Sequence, residues 1–257
     1  MRIVAVQHDI VWENKAANCA KVRALLEEAA PQPGAMIVLA EMFATGFSMN
    51  LGVTLEGDSR PTERFVGELA RRHGAAVVAG VVNAASPGRG FNEAVAIGPE
   101  GELARYRKMQ PFCPGGEHMA YDCGRGAVAF QWQGATVCPF VCYDLRFPEV
   151  IRRAAPLGAE VIAVIASWPV ARIHHWIRLL QARAIENQCW VVGVNRIGVD
   201  PTLAYCGRSI IVDHHGEIQA DAGDKESVIT AEVNLEELRN YRQKLPFLKD
   251  RKERSEE

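Results

Sequence analysis

The sequence predicts an α/β fold with mixed rather than purely parallel sheets, and three observations lead there. Apolar runs of strand length recur from residue 2 to residue 233. Stretches with apolar residues at helical spacing separate many of them, and two pairs of strand-like runs are joined by chain-reversing turns. No Ser/Gly linker, low-complexity tract or fixed-period repeat interrupts the series, so residues 1–257 read as one domain with helices covering the outer sheet faces.

Taken in order, Arg2–Gln7 is an apolar strand, and Asn14–Ala30 has helical spacing until Pro31 and Pro33 stop it. Met36–Ala40 (MIVLA) is a buried strand. Thr62–His73 predicts an amphipathic helix with Thr62 as N-cap and Gly74 just past its end, followed by strand Ala75–Val82. Asn92–Ile97 and Glu102–Lys108 flank Gly98-Pro99-Glu100-Gly101, where Pro and Gly sit as a turn requires, and so form a hairpin.

Thr136–Cys142 is the next strand. Pro148 suits the first turn of a helix running to about Leu157, because its missing N–H has no intrahelical partner there anyway. Strand Val161–Ala166, helix Ala171–Asn187 and strand Trp190–Asn195 follow. A second hairpin pairs Ser209–Val212 with Glu217–Ala220 around His214-His215-Gly216. Strand Val228–Val233 then precedes a helix capped by Asn234, with Glu237 three residues on, and the charged tail 249–257 is expected to fray.

Composition narrows the function. The 29 basic and 31 acidic side chains leave a net charge of -2, so there is no electrostatic footprint for nucleic acid or an acidic membrane surface. The longest apolar runs are far shorter than the roughly 20 residues a spanning helix needs. Seven cysteines without CxxC pairs argue against both a disulfide framework and a zinc ribbon, and point to a reducing, cytoplasmic setting.

In open α/β sheets, ligands meet the carboxyl ends of strands. Polar residues follow apolar runs at Glu41, Lys108, Cys142 and Ser167, offering a carboxylate, an amine and a thiol for one site. A thiol is only a few per cent thiolate at neutral pH, so a catalytic cysteine needs a base or a positive charge beside it. Taken singly, each residue also has an ordinary reading: Cys142 as a small buried hydrophobe, Glu41 as a cap, Lys108 as a strand-end lysine.

The flanking words decide between these readings. LAEMFATGFSMN, YRKMQPFCPGGEHMAYDCG and VCYDLRFPEVIRRAAPLGAEVIAVIASWP occur in that order, and together with HHWIRLLQARAIENQCWVVGVNRIG they resemble the nitrilase, or carbon-nitrogen hydrolase, superfamily over nearly the whole chain. Within it, CYDLRFPE and SWP…HW…LLQARAIENQ look most like the omega-amidases, which hydrolyse monoamides of short dicarboxylic and 2-oxo-dicarboxylic acids.

The resemblance implies a four-layer αββα sandwich with two mixed sheets and a homodimer. It also implies hydrolysis of a small-molecule amide through a cysteine thioester, with neither metal nor organic cofactor. Its Glu-Lys-Cys triad falls on Glu41, Lys108 and Cys142, with the Tyr143 backbone N–H as a second oxyanion donor. Glu117 matches an extra glutamate that orients the lysine or the substrate, and a set this close is expected to titrate as a coupled unit. Phe43 and Trp168 are expected to wall the pocket with Tyr143 nearby. Arg146 either clamps a distal substrate carboxylate or pairs with Glu149 to hold the loop, the latter slightly favoured. Relatives commonly carry histidine where this chain has Gln110, which puts support of the lysine loop in question. The pairs His174-His175 and His214-His215 read as surface or structural, since adjacent histidines are expected to point apart with no acidic partner at ligand spacing. The alternatives are another amidase or carbamoylase of the superfamily and, in a different class, a non-catalytic scaffold.

Overall fold

A computed structural model describes residues 1–252. Arg2–Gln7 (β1) leads to Lys15–Ala29 (α1), whose N-cap Asn14 accepts a hydrogen bond from the Ala17 N–H at 3.0 Å. Met36–Val38 (β2), the single turn Leu51–Thr54 (α2) and Pro61–His73 (α3) follow. Ala76–Ala84 (β3), Gly90–Gly98 (β4) and Gly101–Arg107 (β5) complete the first half. In the second half, Glu117–Ala120 (α4) precedes Phe130–Trp132 (β6) and Ala135–Val141 (β7). A 3₁₀ turn over Cys142–Arg146 and the short helix Pro148–Ile151 (α5) lead to Val161–Ala166 (β8), Ile173–Asn187 (α6) and Trp190–Asn195 (β9). The ribbon Ile197–Val199 (β10) and Ala204–Cys206 (β11) comes next. Ile210–Val212 (β12), Ile218–Asp221 (β13), Ser227–Glu232 (β14) and Leu235–Lys244 (α7) close the chain.

Two six-stranded sheets result, ordered β14-β1-β2-β3-β4-β5 and β13-β12-β9-β8-β7-β6. Each has a parallel centre, β1-β2-β3 in one and β7-β8-β9 in the other, flanked by antiparallel strands. The parallel strands are covered on both faces, which is why β8 (VIAVIA) is apolar throughout and fully buried rather than alternating. The sheets pack face to face through β1 on β9, β3 on β8 and β4 on β7, with α1 and α3 outside the first and α6 outside the second. The architecture is therefore the αββα sandwich with two mixed sheets. It brings the carboxyl ends of β2, β7 and β8 to one end of the molecule, together with the end of β5.

Local expectations hold with instructive exceptions. Gly74 takes the left-handed C-cap position of α3 (φ 57°), as its sequence position predicts. Thr62 is not the N-cap, because α3 starts one residue earlier at Pro61. The work of a cap is done from a distance: the Thr62 N–H donates to Glu56 Oε2 at 2.7 Å. The helix expected to reach Leu157 stops at Ile151 and continues as a 3₁₀ turn, Arg152–Ala154. Pro156, lacking an N–H, cannot extend the i−4 ladder. Asn234 caps α7 by accepting from the Glu237 N–H at 3.1 Å. Of the charged tail, the part beyond residue 252 lies outside the described residues, while Phe247–Asp250 forms a 3₁₀ turn.

Candidate active site

Glu41, Lys108 and Glu117 meet in one buried cluster, none more than 1% exposed. Glu41 follows β2 by a short extended stretch, and Lys108 comes directly after β5. The Lys108 Nζ donates to Glu41 Oε1 at 2.8 Å and to Glu117 Oε1 and Oε2 at 3.0 and 2.8 Å. One ammonium is thus held between two carboxylates, with Glu117 accepting through both oxygens. Asn92, in β4, ties the two acids together, its Nδ2 donating to Oε1 of each at 2.8 Å. The second Glu41 oxygen accepts the Ser167 N–H at 2.8 Å, which anchors the first sheet's carboxylate to the end of β8 in the other sheet.

The close approach of Glu41 to β3 requires a glycine. A Cβ on Gly80 would lie 2.3 Å from the Met42 nitrogen and 2.6 Å from the Glu41 Cα, which are backbone atoms that cannot swing aside. Gly80→Ala is therefore expected to cost about 1–3 kcal/mol of stability through overpacking and to displace the carboxylate. Denaturant titration, with turnover measured where the variant is fully folded, checks both parts.

Cys142 directly follows β7 and opens the 3₁₀ turn in a left-handed conformation (φ 47°), a strained position for a residue with a Cβ. Its Sγ lies 3.9 Å from the Ser167 carbonyl oxygen. Burial, followed by the charge of Glu41, pushes the thiol well above its ordinary pKa, and Lys108 works in the opposite direction. The resting group is a neutral thiol. Burial also opposes the charge on Lys108, but Glu117 and Glu41 overcome it and hold the ammonium well above the usual lysine range. It follows that iodoacetamide modification of the Cys142 peptide should climb steadily as pH rises from 7 and keep climbing past the ordinary thiol value of about 8.5. A plateau near neutrality in the labelling rate, followed by mass spectrometry, would reveal a resting thiolate instead.

Asp144 binds the loops of thiol and amine to each other. It accepts from the Tyr106 hydroxyl at 2.8 Å, the Val141 N–H at 3.1 Å and the Gln110 N–H at 2.9 Å. Burial pushes its carboxyl up to about 7 despite Lys108 and these three donors. The Gln110 question resolves here: the lysine loop is fastened through the backbone of Gln110, a contact its side chain does not supply. Behind Cys142, Arg183 of α6 donates from Nε and Nη2 to the Leu145 carbonyl at 3.1 and 2.7 Å, steadying the 3₁₀ turn. Tyr143 sits in the first turn of that element, where backbone N–H groups have no intrahelical acceptor.

A cleft of about 410 Å³, counting its open mouth, leads to Cys142. Trp168 and Arg146 line it as expected, alongside Tyr143, Phe47, Phe112 and Arg172. Trp168 is held by a reciprocal pair with Asn195, its N–H donating to Oδ1 at 2.7 Å and its carbonyl accepting from Nδ2 at 3.0 Å. Phe43 is not a pocket wall. The chain turns left-handed at Met42 (φ 43°) and drives Phe43 into the core, fully buried, stacked on Phe65 with centroids 6.2 Å apart. Phe47, four residues on, faces the cleft in its place, its ring 5.2 Å from the Lys108 Nζ.

Arg146 does not pair with Glu149, and among the described residues it makes no ion pair at all. Its guanidinium lies 5.0 Å over the Trp168 ring, within 5.9 Å of the Tyr143 ring, and 3.5 Å from His175 Nδ1. Arg172, which the sequence reading passed over, sits above Phe112 at 5.4 Å. Asn92 was missed as well, because it lies in a strand buried on both faces where no alternation singles out a polar position.

Residues 2–243 match the carbon-nitrogen hydrolase family. The chain is 37% identical to an omega-amidase of Yersinia enterocolitica, over 97% of its own length and 96% of the relative's. It is 33% identical to the 2-oxoglutaramate amidase of Bacillus subtilis, over 96% of each. Among solved structures, a carbon-nitrogen hydrolase superfamily protein from Xanthomonas campestris, with an arsenic adduct in its active site, superposes with a TM-score of 0.93 at 35% identity, covering 99% of this chain and 98% of that one. Matched from end to end by sequence and by fold, this chain belongs to the carbon-nitrogen hydrolase family, hydrolases of carbon-nitrogen bonds other than peptide bonds.

Proposed function

We propose that the chain is an omega-amidase, cleaving the terminal amide of a short dicarboxylic or 2-oxo-dicarboxylic monoamide such as 2-oxoglutaramate to the acid and ammonia. The observation that carries this reading is the fully buried Glu41–Lys108–Glu117 cluster, joined through the Glu41 carboxylate to Ser167, which lines the cleft beside Cys142. In it Cys142 is the nucleophile, Glu41 the general base and acid, and Lys108 with the Tyr143 N–H the oxyanion donors, while Glu117 and Asn92 hold Lys108 and Glu41 in place.

Because the thiol rests neutral, its proton must leave as the S–C bond forms, and Glu41 takes it. The carbonyl oxygen becomes an oxyanion facing Lys108 and the Tyr143 N–H, and donors of this type are each worth about 3 kcal/mol. Glu41 then passes the proton to the departing nitrogen, the C–N bond breaks, and ammonia leaves a thioester on Cys142. Water gives a proton to Glu41 and attacks the thioester; the acid departs and the proton returns to sulfur. The ammonium of Lys108 stays charged throughout: it faces two carboxylates before attack, and one carboxylate and the oxyanion while Glu41 holds the proton, so the net charge around it does not change.

The cleft supplies the specificity: aromatic walls for a short chain and two arginines for its far carboxylate. Ammonia release from 2-oxoglutaramate, 2-oxosuccinamate, succinamate, glutamine and carbamoyl amino acids tests the assignment. The 2-oxo-dicarboxylic monoamides and succinamate should turn over best, and preference for a carbamoyl amino acid would reassign the chain within its family. Arg146→Gln should lower kcat/KM for succinamate about 10–100-fold, the range for a hydrogen bond to a charged group. Neutral amides such as butyramide should be spared. Equal losses on both would make Arg146 a loop brace.

The same reading makes the protein a cytoplasmic homodimer of single-domain chains without nucleic-acid partners. Among the described residues no helix is long and apolar enough to cross a membrane. Val170, in the 3₁₀ turn that leads into α6, and Ile185, in α6 itself, remain exposed and offer apolar surface to a second copy. Light scattering should give twice the chain mass.

A further inference from the structure

Away from the cleft, the β12–β13 hairpin meets the first turn of α7, and there the two adjacent histidines do not point apart. In a strand successive side chains alternate, but His214 and His215 lie in the turn, and their rings face each other with centroids 4.2 Å apart. Asn234 starts α7 so that Glu237 comes beside them, and one ligand atom from each of His214, His215 and Glu237 lies within 4.8 Å of the others. Tyr241 backs both imidazoles, at 4.9 and 4.7 Å.

His214 is the unusual member. It is 2% exposed, and among the described residues neither of its ring nitrogens has a hydrogen-bonding partner. A buried imidazole left without partners costs free energy. Asp213, the nearest acid in sequence, is already committed, accepting the His215 and Glu217 N–H groups at 2.8 and 3.0 Å and the Gln219 side chain at 2.7 Å. The histidines and Glu237 border an open hollow of about 720 Å³, counting its mouth as for the cleft.

We propose that His214, His215 and Glu237 form a site for a divalent transition metal that staples the β12–β13 hairpin to α7. Two imidazoles and one carboxylate suit zinc, nickel or copper, whereas calcium and magnesium require oxygen sets. At about 2.0–2.1 Å from a common ion, tetrahedral ligands stand roughly 3.4 Å apart. Exposed His215 and Glu237 reach that spacing by rotation alone. Lys244 borders the hollow and Arg242 lies close by, but Glu236 and Glu237 offset them. None of these residues lines the catalytic cleft, so the metal would be structural and the amidase reaction indifferent to it.

Nickel is the discriminating probe because it favours imidazole over the chain's seven thiols. Calorimetric titration of Ni²⁺ into the untagged full chain should show one site. His215→Ala and Glu237→Gln, both exposed and so harmless to folding, should each weaken it about tenfold or more. Thermal unfolding of the unsubstituted chain should rise with added Ni²⁺, and that rise should disappear in both variants while ammonia release stays unchanged. A binding isotherm unaltered by either substitution, or the absence of binding, overturns the proposal.

Discussion

Cys142→Ala is expected to cut ammonia release by about 10⁴-fold or more, the scale on which loss of a catalytic nucleophile falls in enzymes of this kind. Stability should scarcely change. Alanine keeps the Cβ already accommodated at the left-handed backbone of residue 142, and the group removed is a neutral thiol rather than a charge. The variant should still bind substrate, because the cleft walls and the two arginines are untouched. Direct titration of succinamate into it reports that affinity free of turnover. A folded variant that binds substrate and does not hydrolyse it separates chemistry from binding; one that retains turnover removes the thiol from the mechanism.

Lys108→Met carries the second large effect, and it acts on stability as well as rate. The substitution strands Glu41 and Glu117 side by side, fully buried, with Asn92 left as their shared donor. Removing one partner from a buried ionic cluster costs about 3–5 kcal/mol, and for a chain of this length that lowers Tm by roughly 10 °C. Lys108 has a folded-state pKa raised above its unfolded value, so its contribution is complete below the ordinary lysine pKa. It is lost only when pH climbs through the raised value, far into the alkaline range. At neutral pH the whole penalty should therefore be visible. Adding Glu117→Gln to Lys108→Met removes one of the stranded charges and should recover much of the stability but none of the turnover, because the oxyanion still lacks its ammonium. Recovery of both would make Lys108 a structural counter-ion only.

The strand series, the hairpins, the cap at Asn234 and the helix end at Gly74 were legible because each rests on local periodicity or on one residue's backbone preference. Strand ends alone left the convergence of Glu41, Lys108 and Cys142 open; it became an expectation through the motifs around them, whose resemblance to the carbon-nitrogen hydrolases implies it. What escaped notice depends on geometry that no local pattern encodes. The left-handed turn at Met42 exchanges Phe43 for Phe47 at the cleft, and nothing in an apolar stretch marks which residue will bend. Gly80 is one glycine among 22 until the backbone of Glu41 is seen passing over it. Asn92 and Asp144 work by bridging segments far apart in the chain, and Arg172 faces the cleft only because α6 enters beside Trp168. The twin histidines at 214 and 215 were expected to point apart in their turn with no acid nearby, and it is α7, distant in sequence, that brings Glu237 beside two rings facing each other.

The central claim is that sulfur at residue 142 carries the acyl group between two half-reactions. Rapid acid quenching of the enzyme in turnover with succinamate, followed by intact-mass and peptide mass spectrometry, tests it most directly. A succinyl adduct located on the Cys142 peptide, formed and discharged at rates that match ammonia release, is the expected result. Steady turnover with no adduct at that cysteine, or with the acyl group on another residue, would contradict it.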